Sequence, residues 1–139
     1  MEGYGFSTWI VPDTWNSIKS KYKMKHIPHI TVRTNLEKPC AKGVGEKVRI
    51  KFISGCFIFP KQYKVDPLDA YGFYCLVKNV DFEHIPHMSL FYNEPFAVYD
   101  PPSEELEGTI YMSDTRSMDP SKWTLIDHPS TDPLDSLLS

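Results

Sequence analysis

The sequence predicts an α+β domain that is mostly antiparallel β structure with few helices. Three observations predict it: residues 4–34 read as strand, helix, strand; short β-branched and aromatic stretches recur up to residue 126; and only one segment has helical spacing of its apolar positions. Residues 4–11 form a strand that stops at Pro12. Asp13 is the expected N-cap of a helix that buries Trp15, Ile18 and Tyr22 on one face. Lys19, Lys21, Lys23 and Lys25 lie at its end, where cations complement the helix dipole and where they also stand ready to steer an anion. Residues 29–34 then return to a strand pattern.

Later elements follow the same logic. Residues 47–52 alternate strictly, placing Val48, Ile50 and Phe52 inward and Lys47, Arg49 and Lys51 outward. Ser54 and Gly55 are expected to break this strand, which resumes over 56–59. Further strands are expected over 71–80, 87–91, 109–112 and 123–126. The acidic, Pro-rich stretch 93–108 reads as a long loop of the kind that forms lids. Residues 127–139 read as a loosely attached tail, leaving one domain over 1–126.

A chain of 139 residues fits one core. Its formal charge of −3 argues against gripping long duplex nucleic acid through bulk charge. Cys40, Cys56 and Cys75 include no CxxC pair and read as reduced thiols. The first ten residues lack a basic region followed by a long apolar stretch, and no membrane span is expected, so the expected location is cytoplasmic.

Four of the five histidines fall in two copies of one tetrapeptide, His26-Ile27-Pro28-His29 and His84-Ile85-Pro86-His87, offset by 58 residues. Each copy runs into a strand. Alternation puts His29, Thr31 and Arg33 on one face of the first, and His87, Ser89 and Phe91 on one face of the second, with Ile30, Val32, Met88 and Leu90 behind them. If the two strands are neighbours, two imidazoles and two hydroxyls surround one small anion. Imidazoles titrate near neutral pH, so such a pair supplies a general base and a general acid, while Thr31 and Ser89 donate to phosphate oxygens. No metal or other cofactor is needed. A site using all four histidines for a metal is disfavoured, because His26 and His29 face opposite ways on a strand and Pro28 prevents a helix.

Two His-x-Thr/Ser motifs on separate strands, after a strand–Pro–helix opening, resemble the 2H phosphoesterase superfamily, which includes LigT-like RNA ligases and cyclic phosphodiesterases. The resemblance covers residues 4 to 112. It implies two pseudo-symmetric antiparallel lobes flanking a groove, with His29 and His87 as the catalytic pair and Thr31 and Ser89 as phosphate-orienting hydroxyls. Only six residues separate Val80 from His87, leaving no room for the helix that larger members place there. The chain is in this respect similar to small viral members, among them phage anti-CBASS nucleases and phosphodiesterases of oligonucleotide messengers.

The resulting expectation is metal-independent cleavage of a small 2′-5′, 3′-5′ or cyclic oligonucleotide, in a host cytoplasm if the source is viral, where such cleavage would blunt antiviral signalling. The alternatives are a 2′,3′-cyclic phosphodiesterase in RNA-end processing and a catalytically silent nucleotide-binding module. Arg33 is a candidate for holding phosphate, and Phe91, Trp9 and Tyr99 for stacking on a base. His26 and His84 are expected to support the catalytic pair, and His128 to be a solvated bystander.

Overall fold

The computed structural model describes residues 5–39, 43–58, 70–92, 99–117 and 119–126. The charged and apolar alternation of residues 47–52 becomes the first half of a twelve-residue strand with Ile50 and Phe52 buried and Lys47, Arg49 and Lys51 exposed. In chain order the elements are β1 (Phe6–Pro12), α1 (Trp15–Lys21), β2 (Ile30–Leu36), β3 (Lys47–Ile58), β4 (Ala70–Leu76), β5 (His87–Tyr92), β6 (Leu106–Asp114) and β7 (Thr124–Leu125). All neighbouring strands are antiparallel, in the order β1-β2-β5-β4-β3-β6-β7.

β6 also pairs with β1 along the whole of that strand, from Phe6↔Asp114 to Pro12↔Gly108. The sheet therefore closes into a six-stranded antiparallel barrel, with β7 attached outside the ring. Closure removes the free edges that an open sheet presents. The expectation of two separate sheets beside a groove is not met: the strands make one continuous sheet. It still divides by topology into two three-stranded halves, β6-β1-β2 and β5-β4-β3, joined at the β2–β5 and β3–β6 seams.

Inward-facing Ile10, Ile30, Ile50, Phe73, Met88 and Leu90 fill the barrel. Ile18, Tyr22 and Met24, from α1 and its exit, join the same core, with Tyr22 edge-on to Phe73 at 5.5 Å. A second apolar cluster lies outside the barrel wall, where Trp9 and Val11 on the outer face of β1 pack with Trp123, Trp15 and Ile27. α1 thus serves both clusters, Trp15 in the outer one and Ile18 and Tyr22 in the inner one.

Several local expectations are corrected. Thr14, not Asp13, is the N-cap of α1, and it makes no side-chain capping bond. Asp13 instead accepts from Lys47 Nζ at 2.9 Å and Thr109 Oγ1 at 2.7 Å, tying the β1–α1 turn to β3 and β6. Ser54 and Gly55 do not end β3; the strand passes them with a register shift against β4 between Phe52 and Gly55. β4 ends at Leu76 rather than running to residue 80, and Asn79 in the following turn has φ of 64°. β6 begins inside the expected acidic loop, because Leu106–Thr109 is the stretch that pairs with Lys47–Ile50. The rest of that loop at 93–98, the tail, His128 and Cys40 lie outside the described residues, while Cys75 is a buried thiol. Among the described residues no helix is long and apolar enough to cross a membrane.

Candidate functional site

The sequence repeat becomes a spatial twofold. β2 and β5 are adjacent and antiparallel, and their one registered pair is Ile30↔Met88. Those two residues are offset by 58, the spacing of the tetrapeptide copies. An antiparallel pair has a local twofold axis between facing residues. Here that axis carries each motif copy onto the other. Ile30 and Met88 are buried in the barrel, so the flanking residues face outward. Extending the register by one residue each way sets His29 beside Ser89 and Thr31 beside His87, with the two histidines on the diagonal.

The copies share their hydrogen bonding as well. His29 Nδ1 lies 2.7 Å from the carbonyl oxygen of Ile27, and His87 Nδ1 lies 2.8 Å from that of Ile85. A carbonyl only accepts, so Nδ1 carries the proton in both rings and the neutral tautomer leaves Nε2 as an acceptor. Pro28 and Pro86 hold the preceding isoleucines extended, which brings each carbonyl back beneath the ring two residues on. Among the described residues, no hydrogen bond is made by either Nε2. Buried polar atoms are nearly always satisfied, and the Nε2 of the buried His29 is an exception to that among the described residues.

The surroundings of the copies differ. His29 is 3% exposed, stacked on Trp9 at 3.6 Å between ring centroids, and edge-on to Trp123 and His26. Burial holds its pKa well below the ordinary value, helped by His26 and His87 and opposed by the Ile27 carbonyl. His87 is half-buried and its pKa is also lowered by desolvation, against the bond to Ile85, with a smaller lowering from His84. Both shifts favour the neutral ring near pH 7.

His26 is buried and its Nε2 donates to the main-chain carbonyl of Ser89 at 2.8 Å, across the seam. Desolvation lowers its pKa to about 4, with the Ser89 carbonyl opposing and Lys19 adding to the lowering. His84, its counterpart in the repeat, is exposed and lies 3.7 Å from Glu83. On that side it is Glu83 that reaches β2, its N–H donating to Val32 O and its carboxylate accepting from Thr34 N.

Of the remaining candidates, Trp9 is 1% exposed and committed to His29. Phe91 is buried in the barrel core beside Tyr99, at 6.1 Å between centroids, and Tyr99 is also edge-on to Tyr22. Arg33 pairs with Asp81 at 3.2 Å. It lines a separate groove of about 1250 Å³ near the start of β3 and the end of β4, which includes neither motif histidine. The cations of that groove are largely matched: Lys47 bonds to Asp13, and Arg49 to Glu105 and Glu107. The described residues contain no group of three or more His, Cys, Asp or Glu side chains suited to a metal ion.

Trp123 and Gly72 also border the motif strands, and neither is signalled by the local sequence. Trp123 covers His29 from a segment that follows β6, a contact that no local pattern signals. Gly72 faces Ser89 from β4, and its glycine is readable only once that pairing is known.

Fold and site together define a closed antiparallel β-barrel bearing a twofold-related pair of His-x-Thr/Ser motifs on adjacent strands. Comparison with family models, curated proteins and solved structures returns no match for the chain.

Proposed function

We propose that this chain is a phosphodiesterase of the 2H type that cleaves a small 2′-5′, 3′-5′ or cyclic oligonucleotide without a metal. The observation that carries the reading is the Ile30↔Met88 register, which sets the two copies in twofold relation with both Nε2 atoms as acceptors. On this reading the two barrel halves correspond to the two lobes of that superfamily, fused edge to edge.

The scissile phosphate lies over the β2–β5 seam. One neutral imidazole takes a proton at Nε2 from the attacking oxygen, either water or a neighbouring ribose hydroxyl. The new P–O bond forms as the opposite P–O bond breaks, and the second ring, as imidazolium, gives its Nε2 proton to the leaving oxygen. Thr31 and Ser89 donate to the non-bridging oxygens, where charge grows. Because desolvation disfavours the charged ring, the substrate's own negative charge is what allows one imidazole to be protonated. The overall acidity fits a small substrate rather than a long RNA, and the cytoplasm is where such a messenger would be met.

The deep burial of His29 favours one alternative, a silent module that binds a nucleotide without turning it over. One experiment separates the two. The protein is incubated with 2′-5′ oligoadenylate, 3′,3′-cyclic dinucleotides, cyclic trinucleotides and 2′,3′-cyclic mononucleotides, and products are read by mass spectrometry. Cleavage that survives EDTA, and falls at least roughly 10²-fold in both His29→Ala and His87→Ala, is expected. Full activity in either variant, or binding with no product, overturns the reading.

A further inference from the structure

The two motif copies match in main chain and tautomer but not in what lies over their rings. Trp9, which pairs with Thr31 on β1, stacks on His29 with an interplanar angle of 11°. The twofold carries Thr31 to Ser89, whose partner on β4 is Gly72. The place equivalent to Trp9 is thus held by a glycine. No side chain fits there, since a Cβ on Gly72 would run into the carbonyl oxygen of Met88. No ring of the described residues stacks on His87.

The outer face beside His87 is also apolar and open. Tyr74 pairs with His87, and Cys75 N–H donates to Pro86 O at 3.0 Å, which continues the pairing and brings Leu76 beside Ile85. Leu76 is 55% and Ile85 70% exposed. Ile53, on the adjoining strand whose Lys51 pairs with Leu76, is 51% exposed. These are the three exposed large hydrophobics of the described chain, and all lie in this quarter of the barrel wall. Single exposed apolar residues are ordinary; their collection beside one of two equivalent rings asks for an occupant.

We infer that a nucleobase attached to the scissile phosphodiester stacks on the open face of His87 and packs against Leu76 and Ile85, covering that ring as Trp9 covers His29. The inference rests on the proposed function for where the phosphate lies. It adds a base-binding subsite on the β4 side, with the β1 side closed by the protein's own indole. The chemistry selects a flat, largely uncharged ring and tolerates any base, because stacking reads a π-face rather than a hydrogen-bond pattern.

The test uses the whole chain and a readout independent of turnover. The His87 Hε1 resonance, assigned by its loss in His87→Ala, is followed during titration with adenosine 3′-monophosphate, with ribose 5-phosphate and with inorganic phosphate. An upfield ring-current shift with the nucleotide alone is expected. Leu76→Ser/Ile85→Ser, two exposed positions whose retained fold is checked by circular dichroism, should weaken nucleotide binding roughly tenfold and leave phosphate binding unchanged. The inference is overturned by no nucleotide shift, by equal shifts with ribose phosphate, by unchanged affinity in the double variant, or by a dimer in light scattering that the double variant abolishes. A ring-current shift without cleavage of any phosphodiester sinks the catalytic proposal and leaves the base subsite standing; cleavage without the shift does the reverse.

Discussion

His26 Nε2 donates to the Ser89 carbonyl at 2.8 Å, and that bond crosses the seam between the two motif strands. β2 and β5 share one registered pair, whereas the other seam, β3 with β6, has four. The two halves of the barrel are therefore held at the site by bonds from the segments leading into the motifs. On one side the bond comes from a buried imidazole; on the other it comes from Glu83 to Val32 and Thr34.

His26→Phe keeps a flat ring against His29 and Trp123 and removes the donor. The buried Ser89 carbonyl loses that bond, so stability should fall by about 1–3 kcal/mol in urea denaturation. In the proposed mechanism His26 is a positioning residue that acts through Ser89 and His29, so kcat should drop more than KM rises. An unchanged kcat with lowered stability would assign His26 to folding alone.

Stability should depend on pH in a window set by these histidines. The folded pKa of His26 is lowered from 6.5 to about 4 by burial. The unfolded chain binds the proton first as pH falls, so the stabilising contribution is complete above about 6.5 and is lost down to about 4. For His26 alone that corresponds to roughly 3 kcal/mol, and His29 and His87 act in the same direction. The lowered carboxylates Asp13 and Asp114 lose their contribution only as pH falls below the usual carboxylate value, so the two windows are distinct. Denaturation midpoints at pH 7.5, 5.5 and 4.5 should fall in that order, with a shallower slope in His26→Phe.

Much of this arrangement was legible in the residues themselves. The parity of the two motif strands follows from alternation, and the buried Ile30, Val32, Met88 and Leu90 agree with it; Phe91, expected on the face of His87, instead joins Leu90 in the core past the register shift between Tyr71 and Gly72. The outward Lys47, Arg49 and Lys51 were equally readable, as was the β1-α1-β2 opening. Barrel closure was not, because it depends on β1 meeting β6 across about a hundred residues, from Phe6↔Asp114 onward. Asp13 shows the limit of local chemistry: an aspartate before a helix reads as a cap, yet Lys47 and Thr109, both distant in sequence, claim its carboxylate. The unequal fates of His26 and His84 were hidden for the same reason, since identical tetrapeptides differ only in which distant segments cover them.

Thr31→Val tests the hydroxyl with little disturbance, since Thr31 is only half-buried on the outer face and valine keeps its shape. Losing a donor to a developing phosphate charge should lower kcat by roughly 10²-fold, with the denaturation midpoint nearly unchanged. Ser89→Ala should lower kcat similarly. A loss in KM only would mean that the hydroxyls bind substrate and transition state alike.

Trp9 is the protein's own lever on His29. Its indole lies flat on the imidazole and excludes water from it, and desolvation is the largest cause of the lowered His29 pKa. Trp9→Leu should remove the stack while keeping the site apolar, at a cost of about 2–4 kcal/mol for the lost volume. Water then reaches the ring, and the His29 pKa, followed by NMR titration of its Hε1 proton, should rise toward 6.5. A base of higher pKa is protonated at higher pH, so the acid limb of kcat/KM should move upward in pH if His29 is the base in the forward reaction. A shift of the basic limb instead would assign His29 as the acid. No change in the His29 titration would mean that Trp123 and His26, which meet the same ring edge-on, are sufficient to keep it dry.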